Sequence, residues 1–182
     1  TIPLWHRGSA SVRITAPYQQ NMAIVALGNS VRTPEGGLTA EVAQFDEYKD
    51  LVAAAPNSLN GKIAYVSLRM DGSGLKGYGY AGQARRNGSV AAAKAGASAI
   101  IIRSIGSDDN RTPHTGSMNY AEGVTQIPAA AISNPDADLL DNMLKYGEPV
   151  TIELNMTSHS HDPVVTYNVL GEITGTEEPE KA

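Results

Sequence analysis

Cysteine is absent from this sequence, and its absence removes disulfides, thiolate nucleophiles and thiolate metal sites together. Large aromatics are scarce. One Trp and one Phe stand against eight Tyr, so Ala, Val and Ile must build most of any core. No apolar run reaches the roughly 18 residues that a membrane span needs. Positive charge is also short. Fourteen Lys and Arg face nineteen Asp and Glu, for a net charge of −5. The one compact basic pair, Arg85-Arg86, is too small to track phosphates, which excludes a nucleic-acid surface. No signal peptide is visible, and none would be in a mature or excised piece. There is no G-x-S-x-G elbow, H-E-x-x-H helix or P-loop.

What is there describes one globular domain. The chain has 182 residues, 41% of them hydrophobic and 18% charged, with room for a real core. Eighteen Gly and ten Pro imply many turns. "TIPLWHRGSASVRIT" reads as extended, "NMAIVALG" (Asn21 to Gly28) as one buried strand, and "LTAEVAQF" as a half-buried one. Asp46 is placed to cap a helix over "EYKDLVAAA", with Phe45, Tyr48, Leu51 and Val52 on its inner face and Pro56 beyond its end. "GKIAYVSL" is the clearest strand. The glycine-rich "DGSGLKGYGYAG" reads as a loop, and "QARRNGSVAAAKAGA" as a helix of small residues capped by Gly96. "SAIIIRS" and "IPAAAIS" are apolar strands. "SNPDADLLDNMLKYG" is a helix with Pro135 in its first turn and Gly147 past its end. "PVTIELNMTS" alternates as a strand, and "VVTYNVLGEITG" reads as the last one. Strands with three interspersed helices make an α/β or β-rich α+β domain.

Several motifs invite chemistry. "GSGLKG" (Gly72 to Gly77) fits G-x-G-x-x-G, but "YGYAG" separates it from the expected helix. The next strand also ends in Arg103-Ser104, where a dinucleotide site needs an acid. "HSHD" puts His159 and His161 on one side of an extended chain, with no third ligand identifiable, so no native metal site is expected. The glutamates of "GTEEPE" read as a solvated tail. His114, in "RTPHTGSMNYAEGV", has no nearby base or nucleophile in sequence. Pro113 before it and Gly116 after it frame a defined turn. Residues and spacing favour a non-catalytic domain.

The run from "QARRNGSVAAAKAGASAIIIRS" through "TPHTGSMNY" to "GVTQIPAAAIS" resembles the protease-associated domain of zinc exopeptidases of the aminopeptidase and glutamate carboxypeptidase group, closest to the carboxypeptidase Q family. "PLWHRGS", "ALGNSVRTPEGGLTAEV", "GKIAYVS" and "TYNVLGEITGTEEPE" extend the likeness to nearly the whole chain. In that family the last of these runs on into a G-H-x-D motif that opens the two-zinc site. Here the sequence stops at Ala182. The resemblance implies one protease-associated domain over 1–182, with a β-sandwich or open barrel-like sheet core and about three flanking helices. Segments 1–20 and 163–182 would connect it to a peptidase domain.

It also implies a function. The chain would be no enzyme alone, with no catalytic residue and no metal or other cofactor of its own. It would be an accessory of an exported (periplasmic or secreted) exopeptidase with two zinc ions in the peptidase domain. It would lie over the cleft and bear on peptide access and recognition. The alternative is a protein-interaction or dimerisation module of the same peptidase, which would make a homodimer. By position against the family's motif, Arg85 would read a substrate carboxylate bidentately, just before the alanine-rich helix. His114 and Thr115 of "PHTG" would face the cleft, with a structural role in tying the loop as the competing reading for His114. Tyr78 and Tyr80 would line the cleft from the glycine-rich loop.

Overall fold

The computed structural model describes residues 1–72, 77–172 and 176–177. Its elements run in the order β1 (Ile2–His6), β2 (Ala10–Ala16), β3 (Gln20–Met22), β4 (Ile24–Ala26), β5 (Leu38–Phe45), α1 (Tyr48–Val52), β6 (Lys62–Val66), α2 (Tyr78–Lys94), β7 (Ala99–Arg103), β8 (Ala129–Ile132), α3 (Asn134–Lys145), β9 (Thr151–Met156) and β10 (His159–Val164). Eight strands form one mixed sheet in the order β3-β2-β9-β5-β6-β7-β8-β4. Strands β5 to β8 are parallel, and the remaining pairs are antiparallel. The two edges of the sheet, β3 and β4, are consecutive in the chain with only Ala23 between them. Passing from one edge to the other nearly closes the sheet into a barrel, and β4 lies back against β2. The expected fold class holds, with the core a barrel-like sheet and three helices.

Burial follows the period of the strands. On β6 and β7, Ile63, Tyr65, Ala99 and Ile101 face one core, which also takes Leu140 of α3 and Ile152 and Leu154 of β9. Ala64, Val66, Ile100 and Ile102 face a second core beneath α2. Both faces of these strands are covered, so they read as unbroken apolar runs. Alanine and glycine on α2 let it approach the sheet closely. A β-carbon on Gly88 would lie 2.7 Å from Cδ1 of Ile100. At the other end of α2, Gly96 takes φ +90°, the conformation its position after the C-cap requires.

Four expectations need correction. "NMAIVALG" is not one strand: it breaks at Ala23, where the chain changes partner from β2 to β8. The freed Ala23 amide donates instead to Oδ2 of Asp136 at 2.8 Å. The helix after β5 is a single short turn capped by Glu47, not Asp46. Glu47 and Asp50 form its capping box, and Val52 is 56% exposed rather than inward. Helix α2 opens at Tyr78, directly after Gly77, so Tyr78 and Tyr80 are helical and no "YGYAG" loop intervenes. The motif residues 73–76 themselves lie outside the described residues. Residues 165–172 of "VVTYNVLGEITG" form no strand, and among the described residues the last strand is "HSHDPV". It pairs with β1 as a separate two-stranded ribbon, whose open edge tolerates Pro163. Of "GTEEPE", only 176–177 are described.

Candidate functional site

The loop after β7 brings the predicted residues together. Gly28, just past β4, pairs in parallel with Ser117. The Gly28 amide donates to the Gly116 carbonyl at 2.8 Å, and the Met118 amide to Gly28 at 3.0 Å. The Asn119 amide donates to the Arg86 carbonyl at 3.1 Å, which ties the same stretch to α2. "PHTG" therefore lies between the end of β4 and the first half of α2.

Arg85 faces it from α2. It stands seven residues after Tyr78 and so on the same helix face. Its side chain reaches back toward the helix start, where Nη1 donates to the Tyr78 hydroxyl at 2.8 Å. Its Cζ lies 5.1 Å from the centre of the Tyr78 ring, within cation–π range. Gly116 gives the guanidinium its room: a β-carbon there would sit 2.9 Å from Cζ, Nε and Nη1. Nε of Arg85 is buried with no hydrogen-bond partner, and no carboxylate among the described residues pairs with the side chain. Arg85 is placed mid-helix, not before the helix as expected.

The other candidates divide. Thr115 is exposed, and its hydroxyl donates to the Ala26 carbonyl at 3.0 Å. Arg7 donates to that hydroxyl at 2.9 Å and lies over the Trp5 ring at 5.1 Å. Arg7 was not anticipated, because its partner is 108 residues away. His114 turns back into its own loop. Nε2 lies 2.8 Å from Oδ1 of Asp108, and its backbone amide donates to Oγ of Ser104 at 2.8 Å. Tyr80 donates its hydroxyl to Oε2 of the buried Glu47 at 2.5 Å. Tyr78, 55% exposed, is the tyrosine that stays with Arg85.

Comparison with known proteins gives this arrangement a context. A family model described as the PA domain matches residues 23–140, which run from the edge switch of the sheet into α3 and include Arg85 and the "PHTG" loop. The chain belongs to the PA domain family. It is 37% identical over 180 residues to carboxypeptidase Q from Bos taurus and 38% identical over 183 residues to that from Mus musculus, in each case over 99% of this chain. The chain spans 37% of the length of these relatives. Among solved structures it is similar to a peptidase M28 precursor from Shewanella amazonensis SB2B, at 48% identity and a TM-score of 0.85, covering 88% of this chain and 36% of that one. An aminopeptidase from Aneurinibacillus sp. strain AM-1, at 21% identity and a TM-score of 0.61 over 88% of this chain and 34% of that one, shares the fold.

A buried cation lies at the end of β7. Arg103 at the end of β7 is 3% exposed. Its Nε donates to Ser67 O at 2.9 Å, and its Nη atoms reach Asp138 and Asp141, each at 2.7 Å. Burial works to raise the Asp138 carboxyl, but Arg103 and Arg69 outweigh it and hold the group below its ordinary range. Burial, helped by Asp141, raises the Tyr65 hydroxyl well above its ordinary value. One metal-ligand grouping among the described residues was only half visible in sequence. His6, on β1, joins His159 and His161. It carries no bridging carboxylate, which a two-metal hydrolytic centre needs. No helix among the described residues is long and apolar enough to cross a membrane.

Proposed function

We propose that this PA domain is an accessory of an exported two-zinc exopeptidase, lying over its cleft and reading a carboxylate of the peptide substrate through Arg85. The similarity to carboxypeptidase Q and to the M28 peptidase precursor supports a peptidase as the carrier. The observation that carries the finer reading is the Arg85 guanidinium. A buried, unpartnered N–H on a cation costs about 1–3 kcal/mol, and an incoming carboxylate removes that cost by a fork of charge-assisted bonds. Tyr78 and Gly116 hold the fork in place beforehand. Thr115 and His114 precede Gly116 in the same loop, Thr115 held by the Ala26 carbonyl and His114 by Asp108.

In this reading the two ends of the chain, which meet in the β1–β10 ribbon, lead to and from the peptidase domain, which supplies the zinc ligands. The exposed run of Val165, Tyr167, Val169 and Leu170 suits burial against that domain. A second reading, a dimerisation module, draws on the same run. A dimer of the chain in sedimentation velocity at micromolar concentration would favour it. The direct test is Arg85→Ala in the protein that joins this domain to its peptidase. KM should rise about tenfold or more for peptides with a free carboxylate at the recognised end, since one charge-assisted bond contributes about 1.5–3 kcal/mol. Amidated analogues should change little. Equal losses for both substrate classes would reduce Arg85 to a structural residue.

A further inference from the structure

We propose that His6, His159 and His161 bind one divalent transition-metal ion of the zinc class across the β1–β10 ribbon. The register makes the site. His6 lies directly opposite His159, and Leu4 lies opposite His161. Residues two apart on a strand share a face, so His159 and His161 stand on one side with His6 beside them. One ligand nitrogen from each ring lies within 4.8 Å of the others. The rings already crowd together, with centroids 4.5 Å apart for His159 and His161 and 5.4 Å for His6 and His159. A tetrahedral ion with Zn–N bonds of about 2.0–2.1 Å needs nitrogens about 3.4 Å apart, a closure within reach of small side-chain rotations.

One of the rings is already oriented for this role. Nδ1 of His159 is 2.9 Å from the Thr157 carbonyl oxygen. A carbonyl can only accept, so in the neutral ring Nδ1 carries the proton and Nε2 is the nitrogen with a lone pair. A ligating imidazole needs this arrangement, with its other nitrogen donating to a carbonyl or carboxylate. None of the three histidines pairs with a carboxylate among the described residues. His6 and His161 are exposed and His159 is half-buried, which leaves room for water as a fourth ligand. Three imidazoles without a thiolate or carboxylate suit zinc, copper or nickel rather than calcium or magnesium. The ion would act as a clasp. β1 leads into the eight-stranded sheet and β10 leads out of it, so one ion fastens both crossings.

The test uses the untagged 182-residue chain, titrated with zinc against a chromophoric chelator and, separately, with cobalt monitored by visible absorption. Wild type should bind one equivalent of zinc with Kd near or below the micromolar range and give the intense bands of tetrahedral cobalt. His6→Asn is the deciding variant, because it leaves the His159–His161 pair intact on its own strand. It should weaken zinc binding at least 30-fold and abolish the tetrahedral cobalt spectrum, and His161→Asn should do the same. Glutamine at the same exposed positions provides a second pair of variants, and metal-free melting temperatures show that each folds. Zinc affinity of His6→Asn within threefold of wild type would overturn the proposal. So would wild-type binding weaker than about 100 μM.

Discussion

Replacing Arg103 with methionine separates the roles of charge and packing in this fold. Methionine keeps an apolar stem where the arginine stem now runs. It loses donors to the Ser67 and Asn134 carbonyls, at 2.9 and 3.3 Å, and to Asp138 and Asp141, both at 2.7 Å. Removing one member of a fully buried ion pair costs about 3–5 kcal/mol. Arg103 itself is 3% exposed, but the Asp138 and Asp141 side chains are 47% and 30% exposed, and water can partly replace the lost cation. Asp138 also keeps Arg69, at 3.0 Å. The expected loss is therefore below the full figure, about 2–3 kcal/mol at neutral pH. That corresponds to a fall in Tm of about 4–12 °C for a domain of this size.

The pH dependence gives the experiment a second axis. Asp138 is held below its ordinary range in the folded chain because Arg103 and Arg69 outweigh the effect of burial. A depressed carboxyl contributes stability above its unfolded pKa and loses it as pH falls through the folded value. Urea unfolding of wild type and Arg103→Met should therefore differ by a constant amount from pH 7 to about pH 5. The gap should narrow below about pH 4, as the carboxyl takes up its proton. A difference under 1 kcal/mol at pH 7, or one that widens toward acid, would refute this account of the ion cluster.

Two further variants test the closure of the sheet and the candidate site. Asp136→Ala removes the acceptor of the Ala23 amide and of the Ser133 hydroxyl, and the partner of Arg111 at 2.8 Å. Urea unfolding should show a loss of about 2–4 kcal/mol, since a buried amide and hydroxyl are left unpaired. A loss under 1 kcal/mol would show that the edge switch does not depend on this carboxylate. Gly116→Ala places a methyl 2.9 Å from three atoms of the Arg85 guanidinium, a flexible group that can move aside. Stability should change by less than about 1 kcal/mol, seen as a shift of about 2–4 °C or less in Tm. In the joined peptidase, KM should rise in the same substrates as for Arg85→Ala. A large fall in Tm with unchanged kinetics would place Gly116 in the fold alone.

The parts of the fold that were legible in sequence are those whose burial follows a local period. The unbroken "AIIIR" of β7, the alternation of β9 and the Ser133 cap with Pro135 on α3 each announce their element. The start of α2 was hidden because Gly79 and Gly82 are poor helix formers. Neither is required by packing on the sheet: Gly79 is exposed with open space where a β-carbon would sit, and a β-carbon on Gly82 would meet the Arg86 guanidinium. The break at Ala23 was hidden for another reason: a strand that changes partner keeps its alternation, and only the pairing changes. β10 was missed because "HSHDPV" is polar and carries a proline. It is stabilised as a strand by β1, from the far end of the chain. The same long separations concealed Arg7 beside Thr115 and His6 beside His159. Arg85 was singled out only through resemblance to a family, since nothing in its local sequence distinguishes it from Arg86.

The site and the closure of the sheet are one construction in physical terms. Arg85 needs the open space over Gly116, and Gly116 is fixed by the amide of Gly28. Gly28 lies two residues past Ala26, the end of β4, whose carbonyl also receives the Thr115 hydroxyl. β4 holds its place at the edge of the sheet because the chain leaves β3 at Ala23, and that turn-off is held by Asp136 at the start of α3. The links from Arg85 to Gly116, Gly116 to Gly28, Thr115 to Ala26 and Ala23 to Asp136 join elements far apart in sequence, so local propensity cannot replace them. A loop that carries a short polar motif has little apolar area with which to hold itself. Here it borrows rigidity from strand β4 on one side and helix α2 on the other. That is why Thr115, held on the Ala26 carbonyl, and Gly116, beneath the Arg85 guanidinium, sit in one loop fixed by two different elements.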